Sequence, residues 1–204
     1  MSRRDFPELQ PAYGLWSLYR PDDAPYRFPG GNIDTLVRWQ KETRQALAQA
    51  IGFQDLPVCL FAPELIESFN KGDYVREKWL IYTWDRARMP FYLLLTKELP
   101  RPLPVVLALH GHGYGVKDIV NLWEDGRERD QPFGYQKDFG VELCRRGFAV
   151  AAPEISCFGE RVTDFSDLNT DIGQMISDTC DHTSDWLFTL GAPSSGCVFW
   201  MADG

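Results

Sequence analysis

The stretch VVLALH, residues 105–110, followed at once by GHGYG, residues 111–115, constrains this chain more than any other segment. An almost continuous apolar run that is too short for a helix and rich in β-formers predicts a strand buried on both faces. That pattern belongs to a parallel sheet covered by helices. The small residues behind it let the backbone turn sharply and leave N–H groups facing open space, which acyl-transfer chemistry needs to stabilise a tetrahedral oxyanion. A Gly-rich connection without chemistry is the plainer reading of those few residues taken alone.

Other elements follow from periodicity. YVREKWLIYTW and MPFYLLLTK, within residues 74–97, are β-rich runs flanking a short polar segment, and predict an antiparallel hairpin that opens the sheet. Phe139, Leu143 and Cys144 fall at helical spacing within residues 136–146, Gly147 stops that helix, and residues 148–152 predict a second buried strand ended by Pro153. Strand, helix and strand make one βαβ unit, and four strands in all are expected by Pro153. Upstream, Asp34 is the expected N-cap of an amphipathic helix carrying Leu36, Trp39, Leu47, Ala50 and Ile51, with Gly52 as its stop. A longer helix is expected from Leu168 to Leu190, ended by Gly191 and Pro193. Residues 1–33 read as an N-terminal arm, 34–191 as the body of the domain, and 192–204 as an atypical tail.

Composition removes several functions. With 44% hydrophobic and 14% aromatic residues the chain can build a sizeable core. A net charge of −8 without clustered Lys and Arg argues against nucleic acid. No run approaches the ~18 apolar residues of a membrane span, and the first twenty residues lack the apolar core of a signal peptide. The five cysteines, Cys59, Cys144, Cys157, Cys180 and Cys197, are widely spaced and form no C-x-x-C pair, so a reduced cytoplasmic setting is expected. No cofactor and no metal are expected. Asp178, His182 and Asp185, at i, i+4 and i+7 of the last helix, could surround a cation, but a solvated polar face explains them equally well.

Taken in order, RMPFYLLLTKE, VVLALHGHGYGVKD, YQKDFGVELCRRGFAVAAPE and CFGER resemble the N-terminal half of the dienelactone hydrolase and acetyl xylan esterase-like branch of the α/β-hydrolase superfamily. The resemblance covers roughly residues 35–190. It implies an α/β fold of α/β-hydrolase type, with a mostly parallel sheet, an N-terminal antiparallel hairpin and only about the first half of the complete fold present. Carried over residue by residue, the family's His-Gly segment falls on His110 and Gly111. Its backbone oxyanion donor falls on His112 or a neighbour, so Gly111, His112 and Gly113 are the candidates, acting through their N–H groups. The side chains of His110 and His112 would shape the loop.

The same resemblance implies a second oxyanion donor next to a nucleophilic serine on a G-x-S-x-G elbow. The sequence contains no such elbow. Ala192-Pro193-Ser194-Ser195-Gly196 mimics it loosely, but lacks a preceding buried strand and places proline beside the serine. The triad acid and histidine of the family are not found either. The expectation is therefore the N-terminal part of a serine hydrolase acting on small-molecule carboxylic esters, inactive alone, its tail the product of truncation or a shifted reading frame. The alternative is a non-catalytic chain that uses a shortened fold for binding or assembly. In both cases an apolar strand edge at residues 105–110 favours self-association or aggregation. The mixed-charge run from Glu124 to Asp130 reads as a solvated loop near the mouth of the site. Glu160 and Arg161 read as an ion pair or loop clamp at the carboxyl end of the second buried strand.

Overall fold

A computed structural model of the chain describes residues 9–50, 62–84 and 87–164, with residues 169–170, 173–174, 183 and 189 beyond them. The chain divides into two units, residues 1–48 and 49–204.

In the first unit, helix α1 (Pro11–Ser17) starts with its proline at the first helical turn, where a missing N–H costs nothing. This short helix stands in the arm, where no periodicity announces it. Helix α2 (Ile33–Ala50) begins just before the expected Asp34. Its cap is Asn32, whose Oδ1 accepts the Thr35 N–H at 3.0 Å; Asp34 lies instead inside the first turn, where it meets the positive end of the helix. Trp39 of α2 packs edge-on against Phe28, ring centres 5.1 Å apart, and donates its indole N–H to the Tyr26 carbonyl at 2.9 Å.

The second unit carries a five-stranded sheet in the order β1-β2-β3-β5-β4, formed by β1 (Glu64–Asn70), β2 (Tyr74–Trp84), β3 (Ala87–Thr96), β4 (Val105–Leu107) and β5 (Ala149–Pro153). β1, β2 and β3 form an antiparallel meander, β3 pairs antiparallel with β5, and β4 pairs parallel with β5. The expected hairpin is β2 and β3. β1 adds a strand that the sequence pattern did not reveal, so five strands rather than four are used by Pro153. Helix α3 (Phe139–Arg145) links β4 to β5 and completes the βαβ unit.

Two expectations are corrected. The apolar run at 105–110 forms a strand only over Val105–Leu107, and it is not buried on both faces: Val105 is 70% exposed, and Leu107 and Leu109 are exposed too. The reason is position, because among the described strands β4 has β5 as its sole neighbour. The strand buried on both faces is β5, which lies between β3 and β4: Val150 and Ala152 on one face have no solvent contact, and Ala149 and Pro153 on the other are buried. Likewise the first turn of the expected 168–190 helix is replaced by a small antiparallel pair, β6 (Asn169–Thr170) with β7 (Gly173–Gln174). The remainder of that expected helix, the Asp178, His182 and Asp185 cluster, the Ser194 segment and the tail lie, apart from Thr183 and Thr189, outside the described residues.

The core sits between the sheet and the segment running from Val116 through α3. Tyr92 and Leu94 of β3, Val150 and Ala152 of β5, Ile119 and Val120 of the connecting loop, and Val141 and Cys144 of α3 meet there. Burial pushes the Cys144 thiol up to about 11, so it behaves as a small apolar side chain. Replacing the fully buried Leu94 by Ala is expected to cost about 2–5 kcal/mol, whereas Val105→Ala should stay within about 0.5 kcal/mol. Urea denaturation of the two variants checks this; equal losses would contradict the edge position of β4.

Candidate active site

The loop leaving β4 is built around one carboxylate. Glu154, at the carboxyl end of β5, has no solvent exposure. Its Oε1 accepts the Val116 N–H at 2.8 Å and its Oε2 the Glu160 N–H at 3.4 Å. Two glycines make room for it: a Cβ at Gly115 would lie 2.3 Å from Oε1, and one at Gly159 would lie 2.1 Å from Oε2. Both glycines also hold positive φ, 92° and 52°, which disfavours any side chain there.

His110 is buried beside this carboxylate. Its Nδ1 lies 2.9 Å from the Gly111 carbonyl; a carbonyl only accepts, so Nδ1 carries the proton. Its Nε2 accepts the Ile155 N–H at 3.0 Å. Glu154 Oε1 also lies 3.0 Å from Nε2. The imidazole therefore braces the loop. Phe158 stands edge-on to the rings of both His110 and His112, each 5.4 Å away, and walls the loop from the β5 side.

The three candidate donors are not equivalent. The Gly111 N–H is already engaged by Gln136 Oε1 at 3.2 Å. Among the described residues the N–H groups of His112 and Gly113 donate to nothing, and both residues are exposed. The His112 carbonyl, in contrast, accepts the Tyr135 hydroxyl. What the loop offers chemically is thus two adjacent backbone donors at the carboxyl end of a strand, on a segment pinned at both sides.

The family model described as "Abhydrolase family" matches residues 25–179. The chain belongs to the abhydrolase family. Among solved structures, the chain is similar to a candidate acetyl xylan esterase from Bacteroides fragilis, with a TM-score of 0.71 and 21% identity. The match covers 95% of this chain and 48% of that one, so the chain spans about half the length of that structure. Two structures of a glucuronoyl esterase from Solibacter usitatus match at 16% identity, with TM-scores of 0.37, over 64% and 60% of this chain and 38% and 36% of theirs. No curated protein matches the chain.

In this abhydrolase chain two buried arginines hold the segment between the loop and α3. Arg129, 3% exposed, donates to Asp118 Oδ1 at 2.9 Å, to the Asp118 carbonyl at 2.6 Å, to the Tyr114 hydroxyl at 2.6 Å and to Asp138 Oδ1. One guanidinium serves two carboxylates here. Burial, assisted by the Asp118 charge, outweighs Arg129 and pushes the Asp138 carboxyl up. Burial together with Asp118 also pushes the Tyr114 phenol up to about 12, leaving a neutral hydroxyl. Arg76, 2% exposed, reaches across from β2 to the Val120 carbonyl at 3.0 Å and to Glu128. The run 124–130 is therefore not uniformly solvated: Glu128 faces Arg76 and Lys71, and Arg129 is core. Their partners come from distant sequence, which a local charge pattern does not show.

Glu160 and Arg161 each reach partners outside the pair. Glu160 receives Lys78 at 2.8 Å and Lys117 at 3.3 Å, while Arg161 donates to the Glu154 carbonyl at 3.1 Å. Both act as clamps on the loop after β5. Sequence reading missed Glu154, Tyr135 and Gln136. A signal for Glu154 was present, a carboxylate placed directly at the end of a buried strand; none marked the other two.

Gly115→Ala is expected to destabilise the chain by about 1–3 kcal/mol, from a disfavoured φ together with the clash on Glu154; a thermal melt unchanged from wild type would contradict the packing described. Burial raises the Glu128 carboxyl, but hydrogen bonds from Arg76 and Lys71 outweigh burial and hold it below the usual carboxylate range. Its contribution to stability is therefore present above the unfolded pKa and lost as pH falls through the lower folded pKa. Glu128→Gln should remove that part of the acid-side loss, read from urea midpoints between about pH 7 and about pH 3.

Proposed function

We propose that the chain supplies the oxyanion-binding part of a serine-type hydrolase acting on small-molecule carboxylic esters. The carrying observation is the pair of unengaged backbone donors at His112 and Gly113, held at the end of β4 in an abhydrolase fold. When a hydroxyl attacks an ester carbonyl, negative charge gathers on the carbonyl oxygen. Preoriented N–H groups stabilise that charge without having to reorganise, and losing one such donor costs about 10²–10³ in kcat. His112 and Gly113 take this role, and Gly111 positions them from behind, its own N–H being spent on Gln136.

His110 is not the base of this reaction. Both its nitrogens are committed, to the Gly111 carbonyl and to the Ile155 N–H, and the ring is buried. The nucleophilic hydroxyl, its base and its acid are supplied by residues that this sequence does not contain, and residues 1–204 alone do not turn over an ester. The Bacteroides fragilis neighbour, a candidate acetyl xylan esterase, supports ester hydrolysis as the reaction class. The proposed reaction uses no cofactor, and the cysteine spacing fits a reduced compartment.

A second reading has its own observation. The outer edge of β4, with Val105 and Leu107 exposed, presents apolar side chains and pairs with no other strand among the described residues, a template for another strand. A non-catalytic chain that assembles through this edge would use the same fold without the chemistry. One experiment separates the readings: residues 1–204 are run on size exclusion and treated with a fluorophosphonate probe. The proposal expects self-associated, unlabelled protein that hydrolyses 4-nitrophenyl acetate no faster than buffer. A labelled serine in a sharp monomer peak would sink it, and an unlabelled assembly of one defined size would favour the second reading.

A further inference from the structure

Consecutive residues Tyr135 and Gln136 grip the two sides of the loop that carries the open donors. Gln136 Oε1 accepts the Gly111 N–H, and the Tyr135 hydroxyl donates to the His112 carbonyl. Peptide units are planar and trans, so the N–H of each unit points opposite to its C=O. The His112 carbonyl and the Gly113 N–H belong to one such plane. Fixing the oxygen toward Tyr135 therefore fixes the Gly113 N–H in the opposite direction. The plane before it is held in the same way by a different group: His110 Nδ1–H holds the Gly111 carbonyl at 2.9 Å, which sets the direction of the His112 N–H.

The two latches differ in kind. The His110 ring is buried, receives the Ile155 N–H and stands against Phe158, whereas Tyr135 is 69% exposed. Gly113 itself has φ 146°, in the region that glycine enters freely, so its own backbone provides little resistance to a peptide flip. A donor on so permissive a residue needs an external restraint, and Tyr135 supplies it. Gly111 also depends on this contact from the other side. A Cβ there would lie 2.7 Å from the Tyr135 oxygen, so a side chain at 111 would push the phenol away.

We propose that Tyr135 is a positioning residue whose hydroxyl, by holding the His112 carbonyl, sets the direction of the Gly113 N–H and keeps that donor available to the oxygen of a bound ligand. The ligand clause rests on the function proposed above; the orientation clause does not. Gln136 secures the preceding turn: its Nε2 is buried with no partner among the described residues, so the side chain is held there through its oxygen.

The test uses the whole chain labelled with ¹⁵N, in which one-bond N–H residual dipolar couplings report the direction and order of each amide. Tyr135→Phe removes only the hydroxyl, and Gly111→Ala displaces the ring by a separate route. Both variants are expected to shrink the Gly113 coupling at least twofold through motional averaging, while Val116 and Val150 keep theirs and thereby show that the fold is intact. A Gly113 coupling unchanged in Tyr135→Phe overturns the proposal, whatever the stability of the variant. Phenylphosphonate, a tetrahedral anion, is then titrated against the wild type and Tyr135→Phe. Shifts at the His112 and Gly113 amides that need about tenfold more phosphonate in the variant support the ligand clause. If the couplings change but phosphonate moves neither amide in the wild type, the latch stands and the oxyanion reading falls.

Discussion

The carboxylate of Glu154 is the interaction on which the rest of the site depends. It sits where the chain leaves β5, out of contact with solvent, and receives N–H groups from both the loop after β4 and the loop after β5. A buried carboxylate is tolerated only when its acceptors are used, so the two loops must close on it. That demand explains the glycines at 115 and 159, each of which would lose its place to a single methyl group. His110 is buried beside the carboxylate and turns its Nδ1–H back onto the loop. Among the described residues the N–H groups of His112 and Gly113 are exposed and donate to no part of this framework.

Around that centre the chain uses charge where a sandwich of apolar side chains would also pack. Arg76 and Arg129 are long enough to reach from the sheet and from the connecting loop into carbonyls that no helix or strand satisfies, those of Val120 and Asp118. A guanidinium has five donors in a rigid fork, so it can tie several chain segments at once. Such buried ion clusters are weak sources of net stability but costly to break by halves. Their role here is to fix where residues 113–138 lie, and so where Tyr135 and Gln136 stand relative to the loop they grip.

Much of this was legible in the residues. β2 and β3 alternate, α3 repeats its apolar positions at helical spacing and meets Gly147, and β5 is apolar up to Pro153; each signal is local, and each element lies where its signal predicts. β1 was not legible, because Glu64, Leu65, Ile66, Glu67 and Phe69 show no clean alternation and the strand is exposed throughout. The run at 105–110 was misread for the opposite reason: apolar residues predict burial, but burial is decided by neighbours, and among the described strands β4 has one. Glu128 and Arg129 read as part of a solvated loop since their partners lie outside the run, and Glu154 drew no reading. The candidate donors were placed by resemblance, and only three-dimensional structure shows that Gly111 is engaged while His112 and Gly113 are not.

Native-state amide hydrogen exchange, resolved by residue, separates closed donors from open ones. Slow exchange is expected at Val116, whose N–H is closed on the buried Glu154, and fast exchange at His112 and Gly113, which are exposed and whose N–H groups donate to nothing among the described residues. Protection at His112 and Gly113 equal to that at Val116 would mean that the donors are already occupied, and the site as described would not exist.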